Sequence, residues 1–130
     1  MKKWIFLFLI AAFSLMMAAC GETDKKDTSS FQQVNAEEAK AMMDQEDDYV
    51  ILDVRTQEEY EEGHIPNAVL LPDYEVEDKA EQILLDKEQT IFVYCRSGNR
   101  SKSASEILVS LGYSNVIEFG GVNDWPYEIE

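Results

Sequence analysis

TIFVYCRSGNRSKSASEILVSLGY, residues 90–113, reads as an apolar strand, a short loop and a helix in direct succession. The run from Thr90 to Cys95 is continuous rather than alternating, which predicts a strand buried on both faces. Ala104, Ile107, Leu108 and Leu111 recur at the spacing of one helical face, and Gly112 stands where a helix-ending glycine belongs. A strand followed by a helix, with both sheet faces covered, is the unit of a parallel sheet. In such sheets, sites form just beyond the carboxyl ends of the strands. Cys95 stands at that end.

The same alternation extends outward. Asn35 with Glu38 three residues later is a capping-box pattern, and Ala39, Met42 and Met43 share a helical face. YVILDV (49–54) predicts a second buried strand. Thr56 with Glu59 opens a short helix through Tyr60. AVLLP (68–72) predicts a strand closed by Pro72, and Asp78 with Glu81 a capped helix carrying Ile83 and Leu84. NVIEFGG (115–121) predicts the last strand. The expected fold class is α/β: three layers, about five mainly parallel strands, and helices on both faces of the sheet.

The N-terminus has a different character. MKKWIFLFLIAAFSLMMAAC (1–20) places two lysines before an apolar core, then small residues. This is the layout of a secretory signal peptide. The core from Trp4 to Met17 is shorter than the ~20 residues a spanning helix needs. MAAC resembles the lipobox of bacterial lipoproteins, with Met17 where a leucine is usual. That resemblance implies a signal peptide over 1–19 and a lipidated Cys20. Two or three acyl chains anchor stably where one does not. The expected location is therefore extracytoplasmic, on a cell membrane. GETDKKDTSS (21–30) has no large apolar side chain, so residues 20–30 are read as a lipid-anchored tether and 31–130 as the folded domain. Extended, the tether spans roughly 35 Å.

The chain carries 26 acidic and 11 basic residues, a formal charge of −15. So acidic a surface argues against nucleic acid as a partner. A monomer is expected, and no His/Cys cluster has metal-ligand spacing. Against that background, Arg96 and Arg100 make a local basic spot beside Cys95, suited to a small anionic substrate. A reactive cysteine must be favoured as its thiolate. The loop CRSGNR ends at a helix N-terminus, which favours an anion. Gly98 lets the loop curl so that the N–H groups of residues 96–100 converge.

These residues bring the chain to a family it resembles: the single-domain rhodaneses, thiosulfate sulfurtransferase-like proteins. YVILDVRTQEEYEEGHIPNAVLLP is similar to the family's Asp-Val-Arg, Glu-Tyr and Gly-His-Ile-Pro stretch, with Asn67 where a glycine is usual. VYCRSGNRS is similar to its active-site loop, and GGVNDW to its closing Gly-Gly and Trp. The resemblance implies that Cys95 carries a persulfide. It also implies a small anionic sulfur donor held by Arg96, Ser97, Gly98, Asn99 and Arg100, a thiol or cyanide acceptor, and no cofactor. Arg100 is expected over the loop rim with its guanidinium on the donor's oxyanion, and Arg96 toward solvent. Asp53 and Arg55 are read as a supporting ion pair, His64 as a structural hydrogen-bonding group and Trp125 as core. Two other readings compete. A cysteine phosphatase needs Cys, five residues, then Arg, and the residue at that place is Ser101. A non-catalytic binding module or sulfur-carrier partner is the alternative of a different class; the presence of Cys95 and the whole loop weighs against the former.

Overall fold

A computed structural model describes residues 30–130. The expected signal peptide, Cys20 and all of the tether but Ser30 lie outside the described residues. The strands are β1 (Gln32–Gln33), β2 (Tyr49–Asp53), β3 (Val69–Leu70), β4 (Thr90–Cys95) and β5 (Val116–Gly121). They form one sheet in the order β1-β5-β4-β2-β3, with every neighbouring pair parallel. The helices are α1 (Ala36–Gln45), α2 (Gln57–Glu62), α3 (Val76–Ile83) and α4 (Asn99–Ser110).

Strand β4 lies at the centre and all six of its residues are buried, as its uninterrupted apolar run requires. Its side chains divide between two cores. Ile91, Val93 and Cys95 join Val76 and Ala80 of α3 and Ala104 and Leu108 of α4. Phe92 and Tyr94 join Ala36, Ala39 and Met43 of α1, with Phe119 and Trp125. Helices therefore cover both faces. Each large apolar side chain so buried contributes about 1.5–3 kcal/mol relative to exposure.

The helix starts at Asn35 and Thr56 form as expected. Asn35 Oδ1 accepts the Glu38 N–H at 2.8 Å, and Thr56 and Glu59 make a reciprocal capping box. Asn67 takes a left-handed φ of 66°, a conformation that asparagine tolerates far better than most residues.

Two expectations on the elements are corrected, and one strand was not expected at all. The helix expected at Asp78 begins at Val76, reached through a 3-10 turn (Asp73–Glu75). The turn is seated by the Asp73 N–H on the Val54 carbonyl at 3.0 Å, so a tertiary bond rather than a side-chain cap sets this start. Asp78 lies inside the first turn, where an acid still complements the helix dipole. The strand expected over 68–72 pairs only at Val69 and Leu70, beside the end of β2. Strand β1 has no apolar pattern at all; it is two exposed glutamines paired with Ile117 and Glu118.

Candidate active site

The loop after β4 owes its shape to two glycines. Gly98 holds φ at +107° as the N-cap of α4. Gly121, opposite Cys95 in β5, lies directly beneath the loop: a Cβ there would sit 2.0 Å from the Arg96 carbonyl oxygen. A methyl group at 121 has no room unless the loop lifts. The β4–β5 register shifts between Val93 and Cys95, an irregularity of the kind that re-aims side chains beside a site.

Cys95 is 1% exposed, so the sulfur lies on the floor of the loop. The Gly98 N–H donates to Sγ at 3.0 Å, and the thiol faces Ser101 Oγ at 3.4 Å. Ser101 Oγ in turn lies 2.7 Å from Glu118 Oε1, which also accepts the Gly120 N–H at 2.8 Å. Ser101 is fully buried and Glu118 is 2% exposed.

The other loop residues divide by exposure. Arg96, Ser97 and Asn99 are exposed, as expected for Arg96, and Arg100 is half-buried. The Arg100 guanidinium, expected on a donor's oxyanion, is engaged here by an acid of the protein itself. Its two amino nitrogens face Glu59 at 2.8 and 2.9 Å, a bidentate pair linking α4 to α2. Arg100 first, and the Thr56 backbone and hydroxyl after it, hold the Glu59 carboxyl down at about 2.

This pair has a measurable acid signature. A carboxyl depressed in the folded state stabilises the fold above its ordinary value of 4.5, and the contribution fades as pH falls from there toward about 2. In Glu59→Gln, stability at neutral pH is expected to drop by about 1–2 kcal/mol, allowing for screening of a part-exposed pair. The parent's fall in melting temperature through that acid window should flatten. An unchanged acid slope would show that the pair contributes nothing.

Asp53 and Arg55 lie on the opposite face of the sheet from Cys95. Arg55 donates to both Asp53 oxygens, with Nη2 to Oδ2 at 2.7 Å, and to the Gly63 carbonyl at 2.7 Å. Tyr94 donates to Asp53 Oδ2 at 2.6 Å and accepts the Ile65 N–H at 3.1 Å. Burial, and then the bond to Asp53, push the Tyr94 phenol well above its ordinary range, so it remains a donor. The network ties β2, β4 and the 63–65 turn together, the supporting role expected of the ion pair. His64 stacks on Tyr60 with ring centroids 3.8 Å apart, and its Nδ1 lies 2.9 Å from the Tyr60 carbonyl oxygen. Trp125 is 9% exposed and packs on Phe119.

Three residues at the site escape a reading of the sequence for chemistry. Glu59 shows there only as a cap, and Ser101 only as the absence of an arginine. Glu118 leaves one signal, a lone acid inside the apolar strand VIEFGG.

A parallel α/β sheet with a buried cysteine at the carboxyl end of its central strand, under the N-terminus of the next helix, defines a class. The rhodanese-like domain model matches residues 35–127, and the chain belongs to that family. It is 36% identical over 111 residues to YrkF of Bacillus subtilis, provisionally named a sulfur carrier protein; the match covers 85% of this chain and 59% of YrkF. It is 38% identical over 73 residues to the thiosulfate sulfurtransferase PspE of Escherichia coli, covering 56% of this chain and 70% of PspE. The solution structure of a rhodanese-like domain from Anabaena superposes with a TM-score of 0.70 at 30% identity, covering 78% of this chain and 80% of that one. The chain thus spans less than two thirds of YrkF.

Proposed function

We propose that this protein is a sulfurtransferase that moves a sulfane sulfur from thiosulfate, or a related donor, to a thiol or cyanide through a persulfide on Cys95. The observation that carries this reading is Cys95 Sγ at the end of β4, receiving the Gly98 N–H at 3.0 Å where α4 begins. The Cys95 thiolate attacks the outer sulfur of thiosulfate; the S–S bond breaks and sulfite leaves with its electron pair. An acceptor thiolate or cyanide then attacks the terminal sulfur and Cys95 leaves as thiolate. The two half-reactions are covalent catalysis by an activated nucleophile. A sulfur on the floor of a loop suits a slender donor, and the exposed Arg96 gives the donor's anionic end a cation that Glu59 does not already neutralise. One chain supplies every group named, so a monomer suffices.

The test is the intact mass of the reduced protein after incubation with thiosulfate. A gain of one sulfur atom, lost on adding cyanide, is expected; no gain on folded protein sinks the reading. A sulfur-carrier role, suggested by the likeness to YrkF, shares the persulfide and differs in the partner. It predicts sulfur uptake from a protein donor but slow turnover with thiosulfate and cyanide.

The protein is further proposed to be lipid-anchored through Cys20 on the outer side of a cell membrane, on the strength of the MAAC stretch. Cys20→Ser is expected to stop incorporation of labelled fatty acid. Equal labelling of the variant and the parent would remove the anchor.

A further inference from the structure

Glu118 is a carboxylate in the interior, 2% exposed, with no cation against it among the described residues. Its Oε1 accepts from the Gly120 N–H and lies 2.7 Å from Ser101 Oγ. The Gly98 and Gly120 carbonyl oxygens also lie near Ser101 Oγ, at 2.9 and 3.3 Å, but the Glu118 oxygen at 2.7 Å is the shortest contact and takes the hydroxyl hydrogen. That leaves a lone pair of Ser101 Oγ facing the Cys95 thiol at 3.4 Å. Sulfur, hydroxyl and carboxylate thus form one buried line from β4 through α4 to β5.

We propose that Glu118 acts through Ser101 as the positioning residue for Cys95 and holds the thiol proton while the sulfur is an anion. When Cys95 ionises, its S–H proton passes to Ser101 Oγ as the Ser101 proton passes to Glu118 Oε1. One S–H and one O–H bond break, two O–H bonds form, and the negative charge moves from carboxylate to sulfur. Ser101 then donates to the thiolate, beside the Gly98 N–H. The exchange keeps a single negative charge on the buried line, where two anions side by side strongly disfavour one another. No other charge on the neighbouring elements does this work. Strand β4 carries no charged residue, and Glu118 is the sole one of β5. Arg100 of α4 feels the sulfur but is paired with Glu59 of α2 and also feels Asp73. Arg96 is exposed.

The proposal rests on Cys95 being the reactive thiol, and the test reads that thiol without sulfur transfer. Alkylation of Cys95 by iodoacetamide is measured against pH in the parent, Glu118→Gln and Ser101→Ala, each first shown to be folded by its thermal melt. Moving a proton within the line leaves the total unchanged. The parent's rate should therefore stay nearly level from about pH 8 down to about pH 6. Glu118→Gln keeps the acceptor oxygen but holds no proton, so its rate should fall close to tenfold per pH unit over the same span. Ser101→Ala should lose the level region too, and decides the matter if Glu118→Gln does not fold. Parallel profiles in parent and variants overturn the proposal. So does faster alkylation of Glu118→Gln at acid pH, which marks Glu118 as a repelling charge only. A level parent profile without thiosulfate turnover would keep this inference and remove the sulfurtransferase reading.

Discussion

Cys95→Ala is expected to lose sulfur uptake from thiosulfate entirely, and sulfite release should fall at least about a thousandfold, as when a covalent nucleophile is removed. Its fold should survive. The substitution deletes one buried sulfur and leaves a small cavity, a cost of about 1 kcal/mol. That is a fall of about 4–8 °C in melting temperature for a domain of this size. Cys95→Ser should be equally inactive, because a hydroxyl offers no sulfur to carry the persulfide. The chain has two cysteines, so the outcome is sharp. Sulfur uptake that persists in Cys95→Ala would place the persulfide on Cys20 and dismiss the loop as the site.

The largest loss of stability is expected from Asp53→Ala. Asp53 is fully buried and Arg55 is 5% exposed. Removing the carboxylate strands the guanidinium in the interior with only the Gly63 carbonyl, and orphans the Tyr94 hydroxyl as a donor. Breaking one side of a buried pair costs about 3–5 kcal/mol. Urea unfolding should show that loss. The double change Asp53→Ala with Arg55→Met should recover part of it, since no unpaired charge remains. Where Asp53→Ala is still folded, Cys95 should react near the parent rate, because the network lies across the sheet from it. A small stability loss with a large activity loss would instead put Asp53 in the chemistry.

The strand, loop and helix around Cys95 are legible because their signals are local: an apolar run, a glycine at the turn, a helical spacing. Strand β1 is not legible, because two glutamines carry no pattern and owe their conformation to β5, far along the chain. The start of α3 misleads for a related reason. Asp78 and Glu81 have cap spacing, but the chain enters the helix earlier through a turn hung on the Val54 carbonyl. At the site, the type of Arg100 is plain from the sequence while its partner is not, since Glu59 lies 41 residues away. Glu118 was open to notice as an acid in an apolar strand. What it touches depends on how β5 lies beside α4, which no local pattern records.

The order of strands across the sheet also governs how the molecule can be made. Strand β5 lies between β4 and β1, so it joins the middle of the sheet to the first strand of the described residues. Until residues 116–121 emerge, a growing chain can assemble only β4, β2 and β3. The open side of β4 then offers bare peptide groups, and β1 has nothing to pair with. Strand β5, the last of the five along the chain, thus completes the sheet, seats the loop on Gly121 and brings Glu118 beside Ser101. Such long-range closure folds late and slowly. A truncated chain ending before Val116 should stay open and sticky, and Cys95 should gain its surroundings only when the C-terminal strand docks.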